Sequence, residues 1–432
     1  RRVLLVVVLG PLVATLLGWA WLLVDTDSQA PGTTTWDRIT QAFLGLVGIP
    51  GPVRFGDASD GSNASVALVV LGASVLVLAV AAALEPAVGP HSLGQSEEAA
   101  LRALLDRWGD VDSLSYFALR DDRSVIFSPT GKAAVTYRVV GTVSLAAGDP
   151  AGDPEAWPGA ITAWLTEARS FGWTPAVLAA SERGTQAFVR QGMDALELGD
   201  EAIIHTPDFT LEGRRMRSVR QAVSRCDRAG LTVSCHRVGE LDDELKATIR
   251  ERADAWRDGE VERGFSMALG RLAAAQDPRA VVVLARDQQA ELRGVLQLVP
   301  WGCRGLSLEL MRRDRDCENG VVEQMVTGLM AEARTLGVDR VSLNFAVFRG
   351  VFARGERFGA GPVLRLWRDF LLFLSRFWQI ESLYRANAKY QPEWVPRFVC
   401  FRFSSDLPRV SIAALRAEAF LVAPRWVQRL TS

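Results

Sequence analysis

Two uncharged apolar stretches constrain this chain before anything else does. Val3 to Val24 carries no charged side chain over 22 positions, and Ser65 to Leu84 carries none over 20. At 1.5 Å per residue, either helix can cross a hydrocarbon core of roughly 30 Å. A cleaved leader is the rival for the first stretch, because Arg1 and Arg2 precede it. The run outlasts a leader's apolar region, however, and closes on Trp19-Ala20-Trp21 rather than on small residues. Both stretches are therefore predicted transmembrane helices. The basic start favours the cytoplasm, and the loop Asp25–Ala64 holds five Asp against two Arg, so the chain returns to the cytoplasm at Glu85. A first residue other than Met suggests a piece of a longer protein with further spans upstream.

The remainder reads as a cytoplasmic α/β region. A net charge of −1 neither supports nor excludes a nucleic-acid partner. The five cysteines, Cys226, Cys235, Cys303, Cys317 and Cys400, lack CxxC spacing, and His91, His205 and His236 are scattered. Reduced thiols are expected, with no metal site and no histidine-based triad.

Beyond His91 an amphipathic helix (GQSEEAALRALLDRWG) precedes strands at RSVIFSP, AAVTYRVV and TVSLAAGD, then a helix to Gly172 and the strand TPAVLAAS. The second half repeats this order through VVVLARD, AELRGVLQLV, GLSLELMRR, a helix to Gly337, and DRVSLNFAVF. Glu167-Ala168-Arg169-Ser170-Phe171-Gly172 recurs as Glu332-Ala333-Arg334-Thr335-Leu336-Gly337, 165 residues on, which predicts a duplicated domain. The order matches acyltransferases of the GCN5-related N-acetyltransferase type. An unrelated pair of α/β units would show the same local pattern.

Coenzyme A is a poor fit, because no Gly-rich pyrophosphate turn precedes the second-half helix; Arg312 to Gly320 stands there instead. Arg214, Arg217, Arg220 and Arg225 recur at helical spacing and could follow a phosphate backbone or form an ordinary solvated face. Pro362 to Trp378 is an apolar helix with three arginines, suited to a lipid interface or to a core.

The closing segment ESLYRANAKYQPEWVPRFVCF (Glu381–Phe401), together with YFALRDDRSVIFSP, YRVVGTVSLAAGDPAGD, RRMRSVRQA, LSLELMRRD and VSLNFAVF, resembles the bacterial phosphatidylglycerol lysyltransferases of the multiple peptide resistance factor family. The resemblance runs from about Tyr116 to Phe401. It implies tandem GCN5-related N-acetyltransferase-like domains preceded by two transmembrane helices. The expected division is a membrane segment at 1–90, a first acyltransferase-like domain at 91–210, and a second at 211–432 holding the catalytic site. It also implies transfer of lysine from lysyl-tRNA to phosphatidylglycerol, and a multi-pass cell-membrane protein whose catalytic part is cytoplasmic. Actinobacterial versions are often fused to a C-terminal lysyl-tRNA synthetase, and an end at Ser432 would fit a fragment preceding one. No cofactor is required, because one ester is exchanged for another.

The family's Asp-Leu-Met-Arg falls on Glu309-Leu310-Met311-Arg312, making Glu309 the candidate base, with Arg312 and Lys389 supplying positive charge. Residues i and i+3 of a strand face opposite ways, so a Glu309–Arg312 pair would need a bend, expected at Met311. Asn387, Trp394 and Arg397 are assigned to the substrate pocket, with Asn344 a weaker candidate, and Arg214, Arg217 and Arg220 to tRNA. Alanine or another amino acid in place of lysine, a coenzyme-A-dependent acetyltransferase, and a non-enzymatic lipid-binding or translocating module remain open.

Overall fold

The computed structural model describes residues 2–24, 28–83, 92–257, 264–347 and 386–421. They fall into two compact units, one within residues 2–83 and one within residues 92–421. The predicted arginine-interrupted helix at 362–378 lies outside the described residues.

The first unit is helical: α1 (Arg2–Val24), α2 (Thr35–Gly45) and α3 (Ala58–Ala83). Thr34 and Asp37 close a reciprocal capping box at the start of α2, with Asp37 N–H donating to Thr34 Oγ1 at 3.2 Å and Thr34 N–H to Asp37 Oδ2 at 2.9 Å. Leu22, Ala42 and Leu68 form a small core between the three helices. Gly18 lets the helices approach there, because a Cβ would come within 2.7 Å of Leu68 Cδ2 and that side chain would have to shift. Among the described residues one helical stretch, Ser59–Val77, is long and apolar enough to cross a membrane, and Leu9–Val24 is a shorter apolar helix.

The second unit is a single twelve-stranded mixed sheet carrying helices. After α4 (Gln95–Trp108), strands β1 (Ser124–Phe127), β2 (Ala133–Val140) and β3 (Val143–Ala147) form an antiparallel meander, with the short β4 (Ala151–Gly152) on β2. Helix α5 (Trp157–Ser170) buries Trp157, Ile161, Trp164 and Ala168, one stripe at helical spacing. It crosses to β5 (Thr174–Ala180), which runs parallel to β3. Helix α6 (Glu182–Arg190) then leads to β6 (Asp194–His205).

In the second half α7 (Arg217–Arg228), β7 (Thr232–Arg237) and α8 (Asp243–Arg257) precede β8 (Val281–Arg286), β9 (Leu292–Trp301) and β10 (Gly305–Arg313). Helix α9 (Val321–Glu332) crosses to β11 (Arg340–Val347), parallel to β10, and β12 (Glu393–Phe401) and α10 (Leu407–Ala417) follow.

The strand order, β1-β2-β3-β5-β12-β6-β11-β10-β9-β8-β7, exchanges the last strand of each half. Strand β6 pairs with β11, β12 pairs with β5, and the two meet at the sheet centre. The repeat is visible in the backbone. Gly172 and Gly337 close the turns that follow their helices at φ 68° and 70°, and Ala179 and Asn344, also 165 positions apart, sit at φ 58° and 68°. For two non-glycine residues that left-handed conformation is costly, so its recurrence at matched positions marks a shared strand irregularity.

Candidate active site

Strands β10 and β11 pair only over Gly305–Ser307 with Arg340–Ser342. Beyond that point each is interrupted. On β11 the register with β6 slips between Ser342 and Phe345, with Asn344 in the left-handed region. On β10 Leu308 faces Leu298 and Leu310 faces Gln297, which leaves Glu309 as the extra residue of a bulge. Leu308 and Leu310 consequently pack into cores on opposite faces, although they are two apart. A direct Glu309–Arg312 pair would have needed a bend at Met311; the strand's irregularity is at Glu309.

Three donors hold Glu309. Its Oε1 accepts from the backbone N–H groups of Leu269 and Gly270, both at 3.1 Å, and its Oε2 accepts from Gln297 Nε2 at 2.5 Å. Asp277 faces it as a like charge. Burial pushes Glu309 up to about 7, and Asp277 adds to this, against the hydrogen bonds from Gln297, Gly270 and Leu269. Asp277 is itself ionised below the usual carboxylate range: burial opposes this, but Arg271 and Arg102 outweigh it, with Tyr116 Oη donating at 2.9 Å. A carboxyl that titrates near neutrality can take up a proton and return it.

Arg312 is turned to α8, where Nη1 donates to Ala253 O at 2.9 Å and lies 3.7 Å from Asp254. Lys389 Nζ donates to Glu323 Oε1 at 2.7 Å, in the first turn of α9. Burial would raise Glu323, but Lys389 overcomes it and holds the carboxyl below its ordinary range.

Asn387 is buried and its Nδ2 donates to Leu343 O at 3.2 Å, replacing a ladder partner that the β11 slip removes. Asn344 Oδ1, next in the chain, is buried with no hydrogen-bond partner among the described residues. Trp394 packs on the second-half core from β12. The structure thus gathers Asn344 and Asn387 at the β11 slip and sets Glu309 at the facing β10 bulge.

Arg397 is buried at the sheet centre. Its guanidinium donates to Glu201 Oε2 at 2.9 and 2.5 Å, Asp112 Oδ1 at 2.7 Å, Ser113 Oγ at 2.6 Å and Ala179 O at 3.2 Å. Burial works against its charge, and Asp112, Glu201 and Asp149 more than restore it. Ser342 Oγ donates to Glu201 as well, so β12, β6 and β11 meet on one ion cluster. Asp149 is pushed up to about 7 by burial and by Asp112. The sequence reading missed Asp112, Asp149 and Glu201 as well as Gln297. Gln297 had a signal, as the lone polar residue in the apolar run Gly294–Trp301.

Arg214 precedes α7 and is exposed, Arg217 is its exposed first residue, and Arg220 turns back to donate to Leu211 O and, at 2.9 Å, Gly213 O. The foot of α7 borders a cavity of about 440 Å³ lined by Ile203, His205, Phe209, Met216, Tyr390 and Glu393. His205 Nε2 meets Glu393 Oε2 at 2.7 Å.

Exchanged final strands and two parallel strand–helix–strand crossovers define a mixed α/β protein whose two halves repeat one order, with a carboxylate held at a strand bulge. Residues 102–401 match the sequence model described as phosphatidylglycerol lysyltransferase, C-terminal. The chain belongs to that family. It is 48% identical over 419 residues to a lysylphosphatidylglycerol biosynthesis bifunctional protein of Mycolicibacterium gilvum, covering 95% of this chain and 37% of the relative. The protein of the same name from Rhodococcus opacus is 52% identical over 357 residues, covering 83% and 32%. The chain spans about a third of the length of these curated relatives. Among solved structures, L-PGS from Bacillus licheniformis shares the fold with a TM-score of 0.66 at 20% identity, covering 77% of this chain and 99% of that one.

Proposed function

We propose that this chain transfers lysine from lysyl-tRNA to phosphatidylglycerol, giving lysyl-phosphatidylglycerol and free tRNA. The relatives' shared name supports the product class, and the observation that carries the chemistry is Glu309, titrating near neutrality at the β10 bulge. The terminal glycerol hydroxyl attacks the aminoacyl carbonyl and gives its proton to Glu309. The tetrahedral oxyanion then collapses, the carbonyl–ribose oxygen bond breaks, and Glu309 returns the proton to the leaving tRNA hydroxyl. Arg312 and Lys389 lend positive charge to phosphate and oxyanion. Asn344 and Asn387, with Trp394 and Arg397 behind them, shape the pocket, and Arg214, Arg217 and Arg220 meet the tRNA backbone.

In this reading the two halves are GCN5-related acyltransferase units, 91–210 and 211–432, joined by strand exchange. The helices α1 and α3 both span the membrane and leave the sheet unit in the cytoplasm, where a fused or separate lysyl-tRNA synthetase supplies the donor. Mass spectrometry of lipids from a host lacking such lipids, with and without this chain, tests it. New lysyl-phosphatidylglycerol is expected; an unchanged lipid profile with the protein present in the membrane overturns the reading, and an alanyl product redirects the donor.

A further inference from the structure

The Gln297 carboxamide has a fixed orientation and a complete set of partners. It is 1% exposed on β9. The backbone N–H of Ala273 can only donate, and it meets Oε1 at 2.6 Å. The other end is therefore Nε2, whose two protons go to Arg271 O at 2.9 Å and Glu309 Oε2 at 2.5 Å. Both anchoring groups belong to the segment between Gly264 and Asp277, and that segment is clamped independently of Glu309. Arg120 Nη1 donates to Gly264 O at 2.7 Å and Ala268 O at 2.9 Å, Arg123 Nη2 donates to Phe265 O at 2.5 Å, and Glu418 accepts from Phe265 N at 2.6 Å. The same segment aims the Leu269 and Gly270 amides at Glu309 Oε1.

We propose that Gln297 is the positioning residue of this site, its carboxamide aiming and polarising the Glu309 carboxylate from a clamped segment while touching no substrate. This rests on the reading of Glu309 as the proton acceptor. A bulged carboxylate otherwise has freedom about its side-chain torsions, and donors on both oxygens remove it. A donor on Oε2 favours the ionised form, in opposition to burial and to Asp277. Among the described residues the charged groups near Glu309 include Asp277 with Arg271 and Arg102, Arg120 beside Gly270, and Arg312, which is turned to α8. Of the described residues that hydrogen-bond Glu309, Gln297 is the one whose donor a substitution can remove without removing a charge or a backbone amide.

The test is the pH profile of lysyl transfer by the 432-residue chain in phosphatidylglycerol vesicles, with labelled lysyl-tRNA. The parent should show an acid limb that Glu309→Gln abolishes; its absence would sink the base role itself, whatever Gln297 does. Given that limb, Gln297→Met should move it upward by about one to two pH units, the equivalent of one lost charge-assisted hydrogen bond. KM for both substrates should stay within about twofold, because nothing that touches them has changed. A folded Gln297→Met with the parent's acid limb overturns the proposal. Should that variant fail to fold, Gln297→Glu keeps the length and the acceptor for Ala273. It sets a second carboxyl against Glu309, and the limb should move further still; an unmoved limb there is equally fatal.

Discussion

Glu309 and Arg397 are both charged residues on bulged strands of one sheet, and their surroundings give them opposite parts. Glu309 has donors on both oxygens, yet burial leaves it titrating at about 7, so its base form fills as pH rises through neutrality. Transfer should rise with pH across that range. Glu309→Gln should lower the rate by roughly 10²–10⁴-fold and flatten the profile, read by single-turnover transfer at several pH values. Arg397 is enclosed by Asp112, Glu201 and Asp149, and removing it strands buried carboxylates. Arg397→Met should cost about 3–5 kcal/mol of stability, seen as a lowered melting temperature of the sheet unit. Adding Glu201→Gln to that variant should recover part of the loss. If Arg397→Met melts like the parent but fails to transfer, the residue acts on substrate instead.

At the scale of elements, α7 shows how a stripe of arginines divides its work. Val219, Ala222 and Cys226 bury one face against the second-half core, while Arg214 and Arg217 stay exposed and Arg220 closes the loop that starts the helix. Replacing Arg214 and Arg217 by Ala should weaken tRNA binding and reduce the slope of log K against log salt by about 1.4–1.8, since each phosphate contact contributes about 0.7–0.9. A titration of binding from low to moderate salt checks this, and an unaltered slope would return the stripe to the solvated-face reading. Arg220 is left in place because its hydrogen bonds make any loss there ambiguous between tRNA contact and loop order. Lys389 similarly couples two elements, tying the segment before β12 to the start of α9 through Glu323. The helix N-terminus disfavours a cation, so the acidic partner is what makes the lysine tolerable there.

Over the whole molecule, the exchanged strands make the two halves of the sheet depend on each other. Because β12 lies between β5 and β6, residues 91–210 made alone should lack the strand that covers β5, and residues 211–432 should lack β6 beside β11. Neither fragment should unfold cooperatively alone, whereas co-expression should restore a single transition, measured by circular dichroism; two independently stable fragments would contradict this. The proposed two-span topology is checked by cysteine labelling at Ser62 and Ser92, where only Ser62 should react from outside intact cells. The apolar stretches, the repeat at 165 residues and most strands and helices were legible in the sequence, because hydrophobic periodicity and turn chemistry are local. The family was legible too, through motifs spread from Tyr116 to Phe401, and the profile match over 102–401 agrees. Three things needed the tertiary structure. The pairing of β6 with β12 joins residues about 200 apart, and no local pattern encodes such a partner. The bulge at Glu309 depends on register with β9, which one strand's sequence does not carry. The surroundings of Arg397 come from Asp112 and Glu201, 285 and 196 positions away, and those of Glu309 from Gln297 on the paired strand and from the segment at 264–277. Titration and ion pairing depend on distance and burial, and these exist only once the sheet has closed.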